Sequence, residues 1–509
     1  MLPLPPLPAR RRALPLALLA ALVAAVVAPA RAGVFPPVHD VFQVTPGQAA
    51  RPLPGDGAAP AGAETCAADP TVLPAGPIDL QQAVTLALCR NPQTRLAWAA
   101  VLSQAAQVGV AKAAYLPSLN LTFSRSHDAV DTHFDGTPPT TTHSSIYATG
   151  RTAALNWLLL DLGGRQANIE QARQALNAAL ASQDAAVQTL FGNVAQAYYD
   201  TWAAQAAADS AREAEATARE TLQAASARLR AGVVTQADEL QARASLAQAT
   251  LTRTRAEGVA RLSLGSFAAA LGLDARSPIA LVGDPALTLS STSVAPGDAP
   301  SLATHLGDLD SLMSQALDDH PSVRAARGQL AAAQARLKAT VSDGLPSISA
   351  SVGRYINGRP TTPLTPERSY ETLASVTLQV PLFDGFARNY RIRDSQSQVG
   401  AREADLANAK VQASLEVWRS YQTLQSEAQA LAAAADLVRG ATAVAEAARG
   451  RYRSGTVDIL ERVTAERDLA NARQERIRAL AAWRSSRLKL LANLGRVGFW
   501  ALAESPAPQ

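Results

Sequence analysis

Three histidines, His127, His133 and His143, lie in one polar stretch of the chain. Imidazole nitrogens are common ligands of zinc and related metals, so this group must be considered as a metal site. The residues are six and ten positions apart, and these spacings fit no metal-binding motif on a regular element. We therefore predict no metal and no cofactor.

Motifs of catalytic chemistry are also missing from the sequence. There is no Gly-x-Ser-x-Gly nucleophile elbow, no phosphate-binding loop and no dinucleotide fingerprint with the strand and helix that each requires. We predict that the protein is not an enzyme. Its function must then follow from its architecture and its location.

The amino terminus has the layout of a secretory signal peptide. Arg10 to Arg12 precede an apolar run from Ala13 to Ala28, and Ala30-Arg31-Ala32 supplies a small-x-small cleavage site before Gly33. The alternative is a retained membrane anchor. It is disfavoured because the run contains Pro15 and is shorter than the ~20 apolar residues of a spanning helix.

Export changes the charge balance of the chain. The full sequence has 47 basic and 43 acidic residues, and the leader contains four arginines and no acid, so 43 of each remain. Nucleic-acid binding thereby loses its main support. The later Ala- and Leu-rich segments are interrupted every few residues by polar side chains, so we do not expect a polytopic inner-membrane protein.

The chain beyond the leader is an internal duplication. Five landmarks recur in the same order, two at an offset of 229 residues and three at an offset of 223. Such order and spacing predict two copies of one structural unit. The landmarks are Ala87–Pro92 with Ala316–Pro321, Leu116–Leu119 with Leu345–Ile348, Asp161–Arg165 with Asp384–Arg388, Arg230–Gly232 with Arg453–Gly455, and Leu271–Gly272 with Leu494–Gly495.

The duplication and the composition of the connecting segments set the domain boundaries. They are a signal peptide (1–32), a flexible amino-terminal segment rich in Pro and Gly (33–77), a first repeat (78–281), a linker (282–308), a second repeat (309–495) and a carboxy-terminal tail (496–509).

Each repeat has the same predicted order of elements. A helix ends at a proline turn, two strands follow around a long polar loop, which in the first repeat includes the three histidines, and a long helical hairpin completes the unit. The predicted ranges are helices Asp79–Ala114 and Leu309–Val341, strand pairs Leu119–Ser126 with Thr152–Leu160 and Ile348–Tyr355 with Thr372–Leu382, and hairpins Gln166–Leu271 and Arg388–Leu494 with turns at Gly232 and Gly455.

The first long helix, Gln166–Leu229, spans 64 residues. At ~1.5 Å per residue it is roughly 96 Å long, which exceeds what a globular domain needs. Apolar residues at alternating intervals of three and four predict a coiled-coil seam with similar helices. A cytosolic coiled-coil scaffold is an alternative, but the signal peptide and the strand pairs argue against it.

Four strands per chain cannot close a barrel. In a bilayer every backbone amide and carbonyl needs a partner, and the smallest barrels have about eight strands. If these strands enter a membrane, several chains must contribute their strands to one barrel. The alternative is a soluble periplasmic hairpin, in which apolar residues such as Trp157 and Leu159 would be poorly placed.

The Ala-Leu-x-x-Asn-Pro helix, the Leu-Pro-Ser turn, the strand exit at Pro381–Gly385 and the hairpin turns resemble those of the TolC family of outer-membrane ducts, from about Ile78 to Gly495. Residues 89–95 resemble the CyaE-type branch, which serves cyclolysin secretion. The resemblance implies a mainly α-helical fold with membrane β-strands. Three identical chains would form a twelve-stranded barrel in outer-membrane lipid, continued by a twelve-helix barrel in the periplasm.

The resemblance also implies a function and partners. The protein would be the outer-membrane exit duct of a tripartite export system, with an inner-membrane transporter of the ABC or RND type and a periplasmic adaptor. Its cargo stays open, either a secreted protein or small molecules such as drugs or metals. The main rival is a periplasmic adaptor itself, but an adaptor has one helical hairpin, whereas this chain has two hairpins and two strand pairs.

Roles at the hairpin tips follow from the same resemblance. In the family an aspartate after the first turn hydrogen-bonds a tyrosine before the second and closes the tunnel; the matching residues are Asp238 and Tyr452. Glu461 matches an acidic residue of the constriction, where it would favour cations. Val457 and Thr464 replace a cationic and a second acidic residue of the family. The alternative for Asp238 and Glu461 is ordinary solvated helix surface.

The first testable prediction concerns Cys66 and Cys89, the only cysteines. After export they meet an oxidising compartment, where we expect them to form a disulfide rather than stay as two free thiols. Closing a loop of about 22 residues should stabilise the folded state by roughly 3 kcal/mol. Nonreducing peptide mapping should recover the two cysteines in one linked peptide, and alkylation of both thiols in native protein would contradict the pairing.

Overall fold

The computed structural model describes residues 40–46, 76–282, 309–358 and 369–495. The chain divides into two compact units, residues 1–43 and residues 44–509. In the first unit only residues 40–43 are described, and they form a turn in which the Gln43 amide donates to the Asp40 carbonyl at 3.2 Å. The predicted signal peptide, most of the amino-terminal segment and of the linker, and the tail lie outside the described residues.

Twelve helices and strands occupy the described part of the second unit, in the same order in both halves. The first half contains α1 (Leu80–Arg90), α2 (Pro92–Ala113), β1 (Ser118–Phe134), β2 (Thr140–Leu160), α3 (Gly164–Arg230) and α4 (Gln236–Ala270). The second half contains α5 (Leu309–Asp319), α6 (Pro321–Ser342), β3 (Ser347–Gly358), β4 (Ser369–Gln379), α7 (Ala387–Ser454) and α8 (Ile459–Asn493). The long helices α3 and α7 have 67 and 68 residues.

The first helix of each repeat is in fact two helices. The prediction of one continuous helix is wrong because Pro92 and Pro321 each disfavour α-helical backbone in the residue before them. Asn91 leaves α1 in an extended conformation (φ −62°, ψ 128°) and becomes the N-cap of α2, where its side chain accepts from the Gln93 amide at 2.9 Å. His320 takes the same place before α6.

The first strand pair is longer than predicted. β1 and β2 have 17 and 21 residues and pair from Ser118 opposite Asn156 to Phe134 opposite Thr140. The polar stretch predicted as a loop is therefore mostly strand, and the three histidines lie on β1 and β2. These polar residues can form strands because the pairing of β1 with β2 satisfies their backbone amides and carbonyls. β4 ends at Gln379 instead of Leu382, since the nearby Pro381 has no amide to donate.

The four strands form one antiparallel sheet in the order β1-β2-β3-β4, so β1 and β4 are its edges. Side chains alternate between the two faces of a sheet, and paired residues share a face. One face near the helices is apolar and exposed, and the other is polar. The apolar face carries Leu119, Leu121, Phe123, Trp157, Val352, Val376 and Leu378; the polar face carries Ser118, Asn120, Thr122, Asn156, Ser351 and Ser375.

An Asp-to-Arg contact lies at the start of each long helix, between Asp161 and Arg165 and between Asp384 and Arg388. At the start of α3, the Arg165 guanidinium donates to the carbonyls of Leu158 and Leu159 at 2.6 and 3.0 Å, and lies 4.3 Å from the centre of the Tyr115 ring. At the start of α7, the Arg388 amide donates to the Asp384 carboxylate at 2.8 Å. These contacts fix the direction in which the helices leave the strands.

The helical part has several small apolar clusters distributed along its length instead of one central core. The largest includes Val84, Phe191, Phe267 and Leu271, where α1, α3 and α4 meet. α3 packs against α2, α4, α6 and α8, and α7 packs against α5, α6 and α8. Numerous buried alanines allow these helices to approach closely.

The fold generates a pH prediction at His320. Its Nδ1 accepts from the Ser322 amide at 3.3 Å, and burial lowers the pKa of its imidazole, an effect that the Glu416 carboxylate opposes. The unfolded chain therefore binds the proton at a higher pH, about 6.5. Folded stability is full above that pH and is lost as the pH falls toward the lowered folded pKa.

Replacing His320 by Asn keeps an N-cap side chain, as at Asn91, and removes the titrating group. We expect His320→Asn to reduce the loss of thermal stability between about pH 7.5 and about pH 5. Thermal denaturation of the detergent-extracted protein at both pH values measures this loss of stability. His133→Asn, at an exposed histidine, is the control. An unchanged difference in His320→Asn would show that His320 does not carry this acid sensitivity.

Candidate functional site: the tips of the two helical hairpins

Each hairpin turns at a glycine in the left-handed backbone region. Gly232 has φ +70° and Gly455 has φ +77°, a conformation that residues with a Cβ rarely adopt. The structure thus places both turns at the predicted residues. After each turn the returning helix begins at a side-chain cap, Thr235 for α4 and Asp458 for α8.

Asp238 belongs to the cap of α4. Its carboxylate accepts from the amide and the hydroxyl of Thr235 at 2.8 and 2.9 Å, and its own amide donates to the Thr235 hydroxyl at 3.3 Å. In this reciprocal capping box, the Asp238 carboxylate is bound within its own hairpin. The expected hydrogen bond between Asp238 and Tyr452 is not formed within the chain, because the nearer Thr235 groups hold the carboxylate.

Tyr452 is buried between the hairpins. Its side chain is 3% exposed and packs in a cluster with Ala225, Ala242 and Ile459. Among the described residues its hydroxyl oxygen has no hydrogen-bond partner. The sequence therefore identified a residue of the hairpin contact, but its hydroxyl does not make the expected bond.

Two arginines cover the ring of Tyr452. The guanidinium carbons of Arg228 and Arg462 lie 4.4 and 5.2 Å from the ring centre. Arg228 also donates from Nη1 to the Tyr452 carbonyl at 3.0 Å and from Nη2 to the Arg453 carbonyl at 3.3 Å. A residue of the first hairpin thus binds the end of the first helix of the second hairpin.

Glu461 lies in the first turn of α8 and forms an ion pair with Arg451 of the same hairpin. Its side chain is 39% exposed. The pairing compensates part of its negative charge, so an acidic ring built from Glu461 alone would be weaker than the sequence suggests. The roles of Asp238, Tyr452 and Glu461 in a gate stay predictions.

A second polar contact joins the hairpins at Glu466, which sequence reasoning missed. Its carboxylate accepts from Arg462 and Arg449 at 2.9 and 3.3 Å, and from the Thr221 hydroxyl of the first hairpin at 3.3 Å. Arg228 was missed as well. A signal for it existed, since Arg228 and Arg451 both stand four residues before the turn glycine, at the repeat offset of 223.

The other predicted sites lie away from the tips. His143 forms a contact with Asp131 across β1 and β2, while His133 pairs with the Thr141 hydroxyl at 2.9 Å. No group of three or more His, Cys, Asp or Glu within the described ranges is arranged to hold a metal ion. Cys89 lies in α1 and is not free, but Cys66 lies outside the described residues, so their pairing stays a prediction.

None of the described helices combines the length and the hydropathy that crossing a membrane requires.

Family comparison identifies the class to which this fold belongs. The chain is a member of the outer membrane efflux protein family, whose model matches residues 83–273 and 312–496. Protein CyaE of Bordetella pertussis is 31% identical over 419 residues, covering 82% of this chain and 84% of that protein. Nodulation protein T of Rhizobium leguminosarum bv. trifolii is 24% identical over 383 residues, 74% of this chain and 77% of that protein.

Solved structures agree on the fold. The outer membrane protein VceC from Vibrio cholerae superposes with a TM-score of 0.66 at 19% identity, covering 82% of this chain and 96% of that structure. The CmeC outer membrane channel of Campylobacter jejuni gives 0.67 at 17% identity, with 82% and 85% covered. Family membership makes this protein an outer-membrane efflux protein, the class that the sequence resemblance implied.

The hairpin contact generates a prediction at Tyr452. Because its buried hydroxyl has no partner, removing that oxygen should not cost a hydrogen bond and should relieve a desolvation penalty. We expect Tyr452→Phe to leave the free energy of unfolding unchanged or to raise it by about 1 kcal/mol. Denaturant unfolding of the purified protein measures this, with Tyr370→Phe at the exposed edge of the sheet as the control. A clear loss of stability in Tyr452→Phe would mean that the hydroxyl has a partner.

Proposed function

We propose that three copies of this chain assemble into the outer-membrane exit duct of a tripartite export system, with their strands in one barrel and their helices extending into the periplasm. The observation that carries this proposal is the sheet. It has four strands, exposed apolar residues on one face, polar residues on the other, and two open edges among the described strands.

The strand directions allow several chains to form one barrel. Neighbouring strands are antiparallel throughout, so β1 and β4 run in opposite directions. β4 of one chain can then pair antiparallel with β1 of the next, and the series closes after three chains with twelve strands. The apolar face would meet outer-membrane lipid, and the polar face would line a water-filled lumen.

The helices supply the periplasmic part of the duct. At ~1.5 Å per residue, the 67 residues of α3 extend over roughly 100 Å. The hairpin tips therefore lie far from the sheet, at the inner end of the duct. There, exposed Val233 and Leu460 offer apolar contacts to an inner-membrane transporter and a periplasmic adaptor.

The cargo we propose is a secreted polypeptide, passed by type I secretion. The support is the resemblance of residues 89–95 to the CyaE-type branch and the 31% identity to Protein CyaE over most of both chains. The two cargo classes separate in a deletion strain of the native host. Loss of an extracellular protein with unchanged drug and metal sensitivity supports polypeptide cargo, and the opposite result supports small-molecule efflux.

Interchain cysteine cross-linking tests the trimer directly. A cysteine at Ser375 of β4 is combined in turn with one at Ser118, Asn120 or Thr122 of β1, all on the polar face. Because β1 and β4 are the open edges, we expect at least one pair to oxidise between chains and to give covalent dimers and trimers. Outer-membrane fractions extracted in mild detergent and run on nonreducing gels show the products.

The matched control joins strands within one chain. Asn156 and Ser351 are register partners on β2 and β3, so a cysteine pair there should oxidise without raising the apparent mass. A monomer recovered from the soluble periplasm, with no interchain product from any β1–β4 pair, would eliminate the trimeric duct.

A further inference from the structure

The two hairpins meet along a seam with polar contacts at regular intervals. We call the contact of α3 with the second hairpin, α7 and α8, the inter-hairpin seam. Along it, Arg473 pairs with Glu213 at 3.4 Å, and the Thr221 hydroxyl donates to Glu466 at 3.3 Å. Arg228 follows seven residues later on α3. Residues seven or eight apart lie on one face of a helix, so the three contacts form one line toward the tip.

The contact at the tip differs from the other two because its acceptors are backbone carbonyls. Arg228 binds the carbonyls of Tyr452 and Arg453 in the last turn of α7. The last carbonyls of a helix carry the negative end of its dipole, and here the Tyr452 carbonyl also accepts from the Gly455 amide at 3.2 Å. A guanidinium with two parallel donors satisfies them well. Arg228 therefore caps α7 from the other hairpin.

Apolar packing at the tip is modest. The buried cluster there consists of Ala225, Ala242, Tyr452 and Ile459, and Tyr452 is its only buried aromatic member. One face of that ring is covered by Arg228. Removing the guanidinium would uncover the ring and leave two carbonyls with one donor fewer. Arg228 thus holds the second hairpin to the first together with this cluster and the Thr221–Glu466 contact.

The two repeats use the same arginine differently. Arg451 is the counterpart of Arg228 at the offset of 223, but it pairs with Glu461 inside its own hairpin. Of these two equivalent arginines, Arg228 is the one that contacts the other hairpin among the described residues. This difference cannot follow from the general need of a helical hairpin for a basic residue before its turn, because both hairpins have that residue.

We propose that Arg228 is a positioning residue that fastens the second hairpin to the first and so holds the inner end of the duct closed. The inference rests on the proposed function, because it assumes that the tips surround a passage. Opening requires the two hairpins to separate at the tip, and separation breaks both carbonyl contacts and the stacking on Tyr452. In three chains, three such contacts act on one opening.

The test uses the full-length protein in planar bilayers. We expect Arg228→Gln to raise the open probability of a mostly closed channel at least about tenfold, which corresponds to roughly 1.4 kcal/mol over the three contacts and raises the mean conductance accordingly. Arg228→Lys should give a smaller rise, because an ammonium keeps the charge but lacks the planar fork that spans both carbonyls. Trimer yield and thermal stability are measured on the same preparations.

A matched variant separates positioning from a general effect of charge. Arg230→Gln removes an exposed arginine of the same turn, whose side chain donates to the Ser226 carbonyl of its own helix at 3.4 Å. It should conduct like the parent protein.

The outcomes distinguish this inference from the proposed function. A parent that forms no trimers and no channels contradicts the duct itself. A parent that forms closed channels supports the duct, and Arg228→Gln then decides the inference: parental conductance overturns it. An equal rise in Arg230→Gln also overturns it, since loss of charge alone would explain the effect. If Arg228→Gln lowers trimer yield, Arg228→Lys decides, with increased conductance in support and parental conductance against.

Discussion

The unpaired backbone at the edges of the sheet is the constraint on which the rest of the molecule depends. β1 and β4 each offer a row of amides and carbonyls that no described strand of the chain satisfies. Water can satisfy such groups, but a bilayer cannot. A chain with an exposed apolar sheet face therefore needs further strands from outside itself before it can enter a membrane. The apolar and polar faces, the antiparallel order and the open edges are all consistent with that requirement.

The helices follow from the same constraint. Asp161 with Arg165, and Asp384 with Arg388, fix how each long helix leaves its strand. In the proposed barrel, helices that continue from the strands surround the barrel axis, so they cannot collapse into a central core. This explains why small clusters and buried alanines are distributed along their length. Stability arises locally in such an arrangement, and the tips depend on local contacts.

Much of the fold could be predicted from the sequence because its determinants are local or periodic. The duplication, the strand pairs, the long helices and the turns at Gly232 and Gly455 follow from spacing and from backbone preferences. The helix breaks at Pro92 and Pro321 had the same kind of signal and were overlooked. The full length of the β1–β2 hairpin was harder to predict, because its polar residues lack the apolar alternation that indicates a strand.

The hairpin tips show where sequence reasoning ends. The capping box of Asp238 is visible in the sequence, because a threonine stands three residues before the aspartate. The contact of Arg228 with Tyr452 is not, because it joins residues 224 positions apart. Duplication gave the two hairpins equivalent arginines, but one chain places each in a different environment: Arg451 beside Glu461, and Arg228 beside the carbonyl end of α7. Arg451 therefore stabilises its own hairpin, whereas Arg228 joins the two hairpins. Contacts of this kind depend on how the repeats pack together, which neither repeat encodes by itself.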